Sequence, residues 1–302
     1  MIAKRYSSHH LLDPYVPKAE ETYNYLQASK LLLRSQLDCH DNRLPKKSFD
    51  LKTRATLPIR MDVRNYRDYL SYQLHRSHGL YESFEREFFD LCRSALLKYN
   101  FQVRIGDMDG IMIAYHNTAE LFGFQYLTRA EMDEILYGNS VTGEAVFRMV
   151  LQVYEQVLLA ISNQYRPEEN VRLTFALSKD ASKLTIFSES LSEDPSSSTN
   201  FSQFTLTAQN FINGFRTSDL TLDNSGMDDW RLECFLQQQK PNQAEFESAR
   251  RRVSEIKNRA DADDNDTSRV SLPIMRNARR VYPSSQLPNP QGPEILAPWT
   301  IV

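Results

Sequence analysis

The feature that most constrains this chain is a pair of alternating stretches that flank a short polar loop. Leu31–Leu37 and Ser48–Ala55 each alternate between apolar and polar residues with a period of two, which is typical of a strand with one buried face. Residues 41–47 between them include asparagine, proline and charged residues and are typical of a turn. The two stretches are therefore predicted to form a β-hairpin.

The alternation also predicts which side chains of the second strand face a core. Successive side chains of a strand point to opposite faces, so the set that begins with Phe49 and Leu51 is expected to point inward. Asp50, Lys52 and Arg54 are then expected to share the outer face. Taken alone, this spacing also fits an exposed hairpin that carries an Asp–Lys ion pair and binds no metal, because surface ion pairs are common.

A metal site follows if the hairpin turn centres on Leu44. Asp38 would then lie directly opposite Asp50, with Cβ atoms about 4.5–5.5 Å apart. Two carboxylates at that separation repel each other unless a cation lies between them, and Mg²⁺ with oxygen ligands suits both. The Leu51 carbonyl is expected as a third ligand.

The basic residues near these carboxylates indicate a phosphate-containing substrate. The Lys52 ammonium would orient an attacking water or neutralise charge on a phosphorane, and Arg54 and Lys46 would contact neighbouring phosphates. From residue 30 to residue 76 the sequence has eleven Lys or Arg and five Asp, a balance of +6, so the remainder of a chain with net charge −3 carries −9. This distribution is expected where metal ligands meet a nucleic-acid backbone, although a solvated strand edge protected by lysines has the same charge count.

Other parts of the sequence argue against several classes of protein. No uninterrupted apolar run approaches the roughly 20 residues of a membrane-spanning helix, and the longest, over residues 150–161, is broken by glutamine and glutamate. The three cysteines are widely separated and form no CxxC pair, which argues against a zinc ribbon. The sequence has no glycine-rich phosphate loop, so no nucleotide cofactor is expected.

The chain is predicted to divide into five segments. Residues 1–29 are a lead-in with one or two helical turns near residues 19–28, and residues 30–189 form the core. Residues 190–202 are a disordered loop rich in serine and acidic residues. Residues 203–259 hold further strands and a charged helix, and residues 260–302 are a flexible, proline-rich tail. Within the core, the patterns predict helices at 81–99 and 144–165, a strand at 101–105 that returns after a turn as a strand at 111–115, and a strand pair near 172–177 and 183–188. Thr128 and Glu131 form a capping box that predicts the start of a short helix. Beyond the core, strands are predicted near 204–211 and 230–236 and a helix at 244–259.

Two stretches resemble a known family. LLLRSQLDCHDNRLPKKSFDLKTRATLPIRMDVRNY and YESFEREFFDLCRSALLKYNFQVRIGDMDGIMIAYHNTAELFGFQYLTRAEMDE resemble the fungal mitochondrial, PET-type, membrane-associated factors that process the 5′ ends of mitochondrial transcripts. The resemblance covers roughly residues 20–260 and is densest over residues 31–134. That family is placed in the PD-(D/E)XK nuclease superfamily, and its members resemble 5′-to-3′ exoribonucleases.

The resemblance implies a fold and a set of site residues. The fold is α/β, a mixed sheet flanked by helices, and it occupies the nuclease-like core of residues 30–189. Asp38 corresponds to the family's first metal-binding aspartate, with Asp41 as a weaker alternative, and Asp50 and Lys52 correspond to its (D/E)xK pair. Superfamily folds begin with a helix and a strand. Too little chain precedes residue 31 to supply both, so either the core lacks them or they come from elsewhere, with Glu20 or Glu21 as candidates to substitute for the glutamate of that helix.

The resemblance also implies an activity. It is the Mg²⁺-dependent hydrolysis of RNA phosphodiester bonds during transcript 5′-end processing in mitochondria, with water as the nucleophile. The implied partners are RNA, the mitochondrial membrane through peripheral association, and the RNA-degradation or transcription machinery. The alternative is a non-catalytic, membrane-associated processing factor that binds RNA or a nuclease partner.

Overall fold

A mixed four-stranded sheet lies at the centre of the first half of the chain. The computed structural model describes residues 22–191, 201–217 and 229–261, with side chains described as far as residue 255. In sheet order, its strands are β3 (Cys39–His40), β4 (Ser48–Ala55), β5 (Gly110–His116) and β6 (Leu121–Thr128). β4 pairs in parallel with β5, whereas the outer strands β3 and β6 pair antiparallel with their neighbours. A mixed sheet in an α/β protein is therefore confirmed.

Two helices cover one face of this sheet and connect its parallel strands, as a parallel pair requires. The short α1 (Leu57–Met61) and a 3₁₀ helix (Val63–Tyr69) precede them. α2 (Phe84–Ser94) begins at Ser83, whose hydroxyl accepts a hydrogen bond from a backbone amide of the first turn, and α3 (Leu96–Ile105) follows directly. The core between helices and sheet is fully buried and includes Leu91, Leu96, Val103, Met108, Ile111 and Ile113.

The structure corrects three predictions in this region. The helix predicted at 81–99 is two helices that break at Ala95. The strand predicted at 101–105 is wrong, because these residues continue α3; a five-residue apolar run fits a buried helix as well as a strand. The strand predicted at 111–115 exists as β5, but it pairs in parallel with β4.

A separate antiparallel hairpin precedes the central sheet. It consists of β1 (Thr22–Ala28) and β2 (Leu31–Leu37), joined at Ser29 and Lys30. The helical turns predicted near residues 19–28 are therefore wrong over the described part, Thr22 to Ala28. The predicted pairing of Leu31–Leu37 with Ser48–Ala55 is also wrong, because β1 takes that place beside β2. One face of the hairpin rests on α3, where the Asn24 side chain donates a hydrogen bond to the Ile105 carbonyl at 2.9 Å.

Two helices follow the central sheet. α4 (Arg129–Tyr137) begins with the predicted capping box of Thr128 and Glu131 and ends at Gly138, which has a φ of 83°. α5 (Ser140–Ser162) is 23 residues long. By length and composition alone α5 could cross a membrane, a property that core helices of soluble proteins also have. Near its beginning it packs on α3, where the rings of Phe147 and Phe101 lie 5.2 Å apart.

The C-terminal half of the described chain is an antiparallel sheet held between two helices. Val157 and Ile161 of α5 pack against one face, and Phe246 of α6 (Gln243–Asp261) packs against the other. The strands predicted near 172–177, 183–188, 204–211 and 230–236 and the helix predicted at 244–259 are confirmed. The strands are β7 (Val171–Leu177), β8 (Leu184–Ser190), β9 (Phe201–Ile212), β10 (Phe215–Thr217) and β11 (Trp230–Gln239).

Some predicted segments lie outside the described residues. They are residues 1–21 of the lead-in, including Glu20 and Glu21, residues 192–200 of the predicted loop, and the tail from residue 262.

Candidate metal and phosphate site

The charged face of β4 is buried, which reverses the predicted orientation of this strand. Asp50 is fully buried and Arg54 is 6% exposed, whereas Leu51 on the opposite face is 41% exposed. The reversal arises because Asp50 and Lys52 are in register with Ile111 and Ile113 of β5, and that face lies beneath α2 and α3. The alternation in the sequence identified which residues of β4 share a face. It could not show that charged partners elsewhere in the fold compensate the buried charges of Asp50, Lys52 and Arg54.

The register around the 41–47 turn brings Asp38 next to Asp50. β3 pairs Cys39 with Phe49 and His40 with Ser48; Asp38 and Asp50 are the next residues outward in this register, as a turn centred on Leu44 predicts, and their carboxyls lie close enough to interact. Asp38 lies one residue before β3 and is exposed. Burial raises the pKa of the Asp50 carboxyl; Lys52 opposes this rise, and the neighbouring Asp38 carboxyl adds to it.

The Lys52 ammonium is held between the strand and α3. Its Nζ lies 2.5 Å from Asp50 Oδ2 and donates to Gln102 Oε1 at 3.0 Å. It also lies 5.2 Å from the centre of the Tyr99 ring, within the range of a cation–π contact. The amine is therefore fixed beside the carboxylate rather than free in solvent.

Tyr99 and Gln102 were not identified from the sequence. They were assigned to two different elements there, a helix ending at residue 99 and a strand beginning at residue 101. A single helix through both would have placed them three residues apart and hence on one face. That spacing is the signal that could have identified them.

A network of buried ion pairs lies beside the C-terminal end of β4. Glu87 of α2 is fully buried, and its carboxylate accepts a hydrogen bond from the Leu57 amide at 2.6 Å and another from Arg60. Arg54 Nε lies 3.9 Å from Glu87 Oε2. Burial lowers the pKa of the Arg54 guanidinium, and its Nε and one terminal nitrogen make no hydrogen bond within the described residues. Glu87 had no distinguishing signal in the sequence.

The loop between β3 and β4 is held by its own ion pairs. Lys46 forms a salt bridge with Asp107, and its backbone amide donates to Asp109 at 2.8 Å. Asp41 accepts hydrogen bonds from Arg43, and these bonds lower the pKa of Asp41 to about 2. Asp41 is thus occupied by Arg43, whereas Asp38 is the carboxylate that meets Asp50.

The donor set around Asp50 fits a hard divalent cation. Both Asp50 carboxylate oxygens are buried and accept no hydrogen bond of good geometry among the described residues, although Oδ2 contacts the Lys52 ammonium. A buried carboxylate is costly unless a cation compensates it; the Lys52 ammonium lies beside Oδ2, and Oδ1 is the oxygen that a metal ion could bind. Within the described part of the chain, no cluster of three or more His, Cys, Asp or Glu side chains has a metal-binding arrangement. One or two carboxylates suffice for Mg²⁺, which keeps several waters and binds substrate phosphates.

Comparison with known proteins shows that the candidate site lies within the part of the chain that matches a described protein family. The sequence model of the family described as "Mitochondrial protein Pet127" matches residues 3–159. The chain is 42% identical over 162 residues to the "mRNA degradation protein pet127, mitochondrial" of Schizosaccharomyces pombe, an alignment that covers 53% of this chain and 31% of the relative. It is 48% identical over 123 residues to the "Putative mitochondrial translation system component PET127" of Saccharomyces cerevisiae, covering 39% of this chain and 15% of the relative.

Two facts follow from these alignments. The chain spans less than a third of the length of either relative. The family match contains every residue of the candidate site, from Asp38 to Gln102, and the hairpin that precedes it.

Proposed function

The chain belongs to the Pet127 family of mitochondrial proteins, and on that premise we propose that it hydrolyses RNA phosphodiester bonds with a magnesium ion held at Asp38 and Asp50. The protein is mitochondrial. The single observation that carries the proposal is the buried Asp50 carboxylate, which faces Asp38 and lies beside the fixed ammonium of Lys52. RNA is the proposed substrate because one relative is named as an mRNA degradation protein.

Asp38 and Asp50 would hold the ion, with the Leu51 carbonyl as a proposed further ligand and water and phosphate oxygens completing the shell. When bound, such an ion activates a water and stabilises charge on phosphate oxygens. Lys52 Nζ, positioned by Gln102 and Tyr99, would place a positive charge where negative charge builds up on the phosphorus-bound oxygens. The role needs an ammonium of fixed position, and the contacts of Nζ with Asp50 and Gln102 supply one.

The arrangement of the central sheet supports assignment to the PD-(D/E)XK type. Its four strands follow one another in chain order, its middle strands are parallel, and the DxK strand is one of that pair. Peripheral membrane association and contact with RNA-degradation or transcription machinery are part of the same proposal, and they rest on the resemblance to the family.

A second candidate is a non-catalytic factor that binds RNA or a nuclease partner. Two observations favour it: the described residues supply only two carboxylates at the site, and the other relative is named as a putative translation system component. Incubation of the purified 302-residue chain with 5′- or 3′-labelled single-stranded RNA in magnesium, manganese, calcium or EDTA distinguishes the two candidates. Cleavage in magnesium alone supports the nuclease. Binding without cleavage in magnesium or manganese supports the second candidate.

In the same assay, Lys52→Met is expected to lower kcat by about 10²–10³-fold, the effect of removing one group that stabilises transition-state charge. RNA affinity in calcium should change little, because this charge is needed mainly when the transition state forms. Lys98→Met, which changes an exposed lysine of α3, is the matched control and should leave both quantities unchanged. A Lys52 variant that loses affinity and kcat in parallel would contradict the proposed role.

The proposed phosphate contacts of Lys46 and Arg54 can be separated by their salt dependence. The log–log slope of RNA affinity against salt is about −0.7 per neutralised phosphate on a single strand, so loss of one contact by Lys46→Ala should flatten the slope by about 0.7. Arg54→Ala should flatten it equally if Arg54 holds a phosphate. Because Arg54 is buried beside Glu87, this variant should also lower the melting temperature. A lowered melting temperature with an unchanged slope would restrict Arg54 to a structural role.

A further inference from the structure

The β1–β2 hairpin has one face against the protein and one face in solvent. On the inner face, Ser35 is buried, Leu37 packs against the core beneath α3, and Asn24 bonds to the last turn of that helix. These contacts fix the hairpin next to the candidate site. Its outer face has no part in the chemistry proposed above.

The outer face combines aromatic and cationic side chains. Tyr25 is 57% exposed and pairs across the strands with Arg34. The Arg34 guanidinium lies 4.5 Å from the centre of the half-buried Tyr23 ring, so an exposed cation is held against an aromatic ring. Gln27, Leu32 and Gln36 are the other exposed residues of this face.

The charge of the hairpin has one sign. Residues 22–37 contain one lysine and one arginine and no aspartate or glutamate, within a chain whose net charge is −3. Exposed aromatic rings with interleaved cations are the features with which proteins hold single-stranded nucleic acid: bases stack on the rings and phosphates pair with the cations. A protein partner is less well matched, because Leu32 is the one large aliphatic side chain on this face and it lies at the far end of the hairpin.

The outer face leads directly to the metal site. Exposure alternates along β2 and continues past its end, so that Arg34, Gln36 and Asp38 are all exposed while the residues between them are more buried. Four residues of strand separate Arg34 from Asp38, a distance of about 13 Å. A strand of RNA lying on this face would therefore have the exposed Asp38 within reach.

We propose that this outer face, formed by Tyr23, Tyr25 and Arg34, is a binding platform for single-stranded RNA that directs the strand to Asp38 and Asp50. The proposal rests on the proposed function, since it assigns a substrate-binding surface to that site. It requires an unpaired strand, because the bases of a duplex are stacked and paired with each other and cannot lie on protein rings.

The test measures RNA binding in calcium, by fluorescence anisotropy across a salt series, with an unstructured oligonucleotide and a hairpin RNA of the same composition. The wild-type chain should prefer the unstructured strand. Tyr25→Ala should weaken its binding by about tenfold, the effect of losing one stacked base, with little change in salt dependence. Arg34→Ala should weaken binding and flatten the salt slope by about 0.7.

Matched controls separate these effects from general surface changes. Tyr154→Ala removes a tyrosine of α5 that is 41% exposed, and Arg251→Ala removes an exposed arginine of α6; both should bind RNA as the wild type does. As an independent measurement, photo-crosslinking of thiouridine-containing RNA should yield a crosslinked peptide that includes Tyr25.

The outcomes also distinguish this proposal from the function on which it rests. If the wild type binds and cleaves RNA but both hairpin variants bind normally, the platform is wrong, the nuclease proposal stands, and the face is available for a protein partner. If the wild type neither binds nor cleaves RNA, the proposed function and the platform both fail. Equal affinity for the unstructured strand and the hairpin RNA would also overturn the platform.

Discussion

Asp50→Asn is expected to reduce magnesium-dependent RNA cleavage by about 10³-fold or more. The substitution keeps the size of the side chain but removes a charge that a divalent ion needs. A bound metal contributes several kcal/mol of transition-state stabilisation, and each 1.4 kcal/mol corresponds to a tenfold change in rate. The measurement is single-turnover cleavage of labelled RNA by the purified chain. Asp68→Asn, which changes an exposed aspartate of the 3₁₀ helix, is the matched control and should retain full activity.

The same variant is expected to be at least as stable as the wild type in EDTA at neutral pH. Because the pKa of Asp50 is raised in the folded protein, its protonated form is favoured by folding, and this contribution to stability is lost as the pH rises through the raised pKa. The ionised carboxylate is thus a cost at neutral pH that the amide removes. The difference in melting temperature should disappear below about pH 4, where aspartate is protonated in the unfolded chain as well.

Magnesium provides the complementary measurement. A ligand that binds only the folded state adds about 2.7 kcal/mol of stability at one hundred times its dissociation constant. The melting temperature of the wild type should therefore rise with added magnesium, and that of Asp50→Asn should not. If the Asp50→Asn variant still cleaves RNA, or is stabilised by magnesium as much as the wild type, Asp50 is not a ligand of the metal.

Glu87→Gln is expected to destabilise the fold by about 3–5 kcal/mol, the effect of removing one partner from a buried ion pair. Glu87 is fully buried and is the acidic partner of both Arg54 and Arg60. Its loss would leave the Arg54 guanidinium buried without a counter-charge. The amide is nearly isosteric with the carboxylate, so the change tests the charge rather than a cavity.

Chemical denaturation of the purified chain is the appropriate measurement, because the slope with denaturant shows whether the same structure unfolds in both proteins. Glu134→Gln, which changes an exposed residue of α4, should alter stability by less than about 0.5 kcal/mol. If Glu87→Gln lowers the free energy of unfolding by less than about 1 kcal/mol, groups other than Glu87 must compensate the charges of Arg54 and Arg60.

Local patterns predicted much of the fold. Strands with period-two alternation, such as Ser48–Ala55 and Val171–Leu177, lie where the sequence places them, and the capping box at Thr128 begins a helix as predicted. The nearness of Asp38 to Asp50 followed from the length of the turn alone, although the pairing of β2 with β4 that was predicted around it is wrong. Each of these predictions depends on neighbours in sequence or on a short connection.

The errors arose where distant partners decide the structure. The charged face of β4 is buried because its partners Glu87 and Gln102 come from helices more than thirty residues further along the chain, and alternation carries no information about them. The pairing of β2 was predicted with β4 because the sequence before Leu31 showed no clear strand. Which face of a strand is buried, and which strand it pairs with, depend on contacts throughout the folded protein.

The position of α5 between the two sheets has a consequence for how the protein can be divided. The family match ends at residue 159, within α5, whose next turn contributes Ile161 to the core it shares with Ile186 and Phe204. A boundary of sequence similarity therefore does not coincide with a boundary of autonomous folding. A fragment trimmed to the matched region would lose the strands that shield the apolar side of this helix, so the smallest unit suitable for study on its own includes the second sheet.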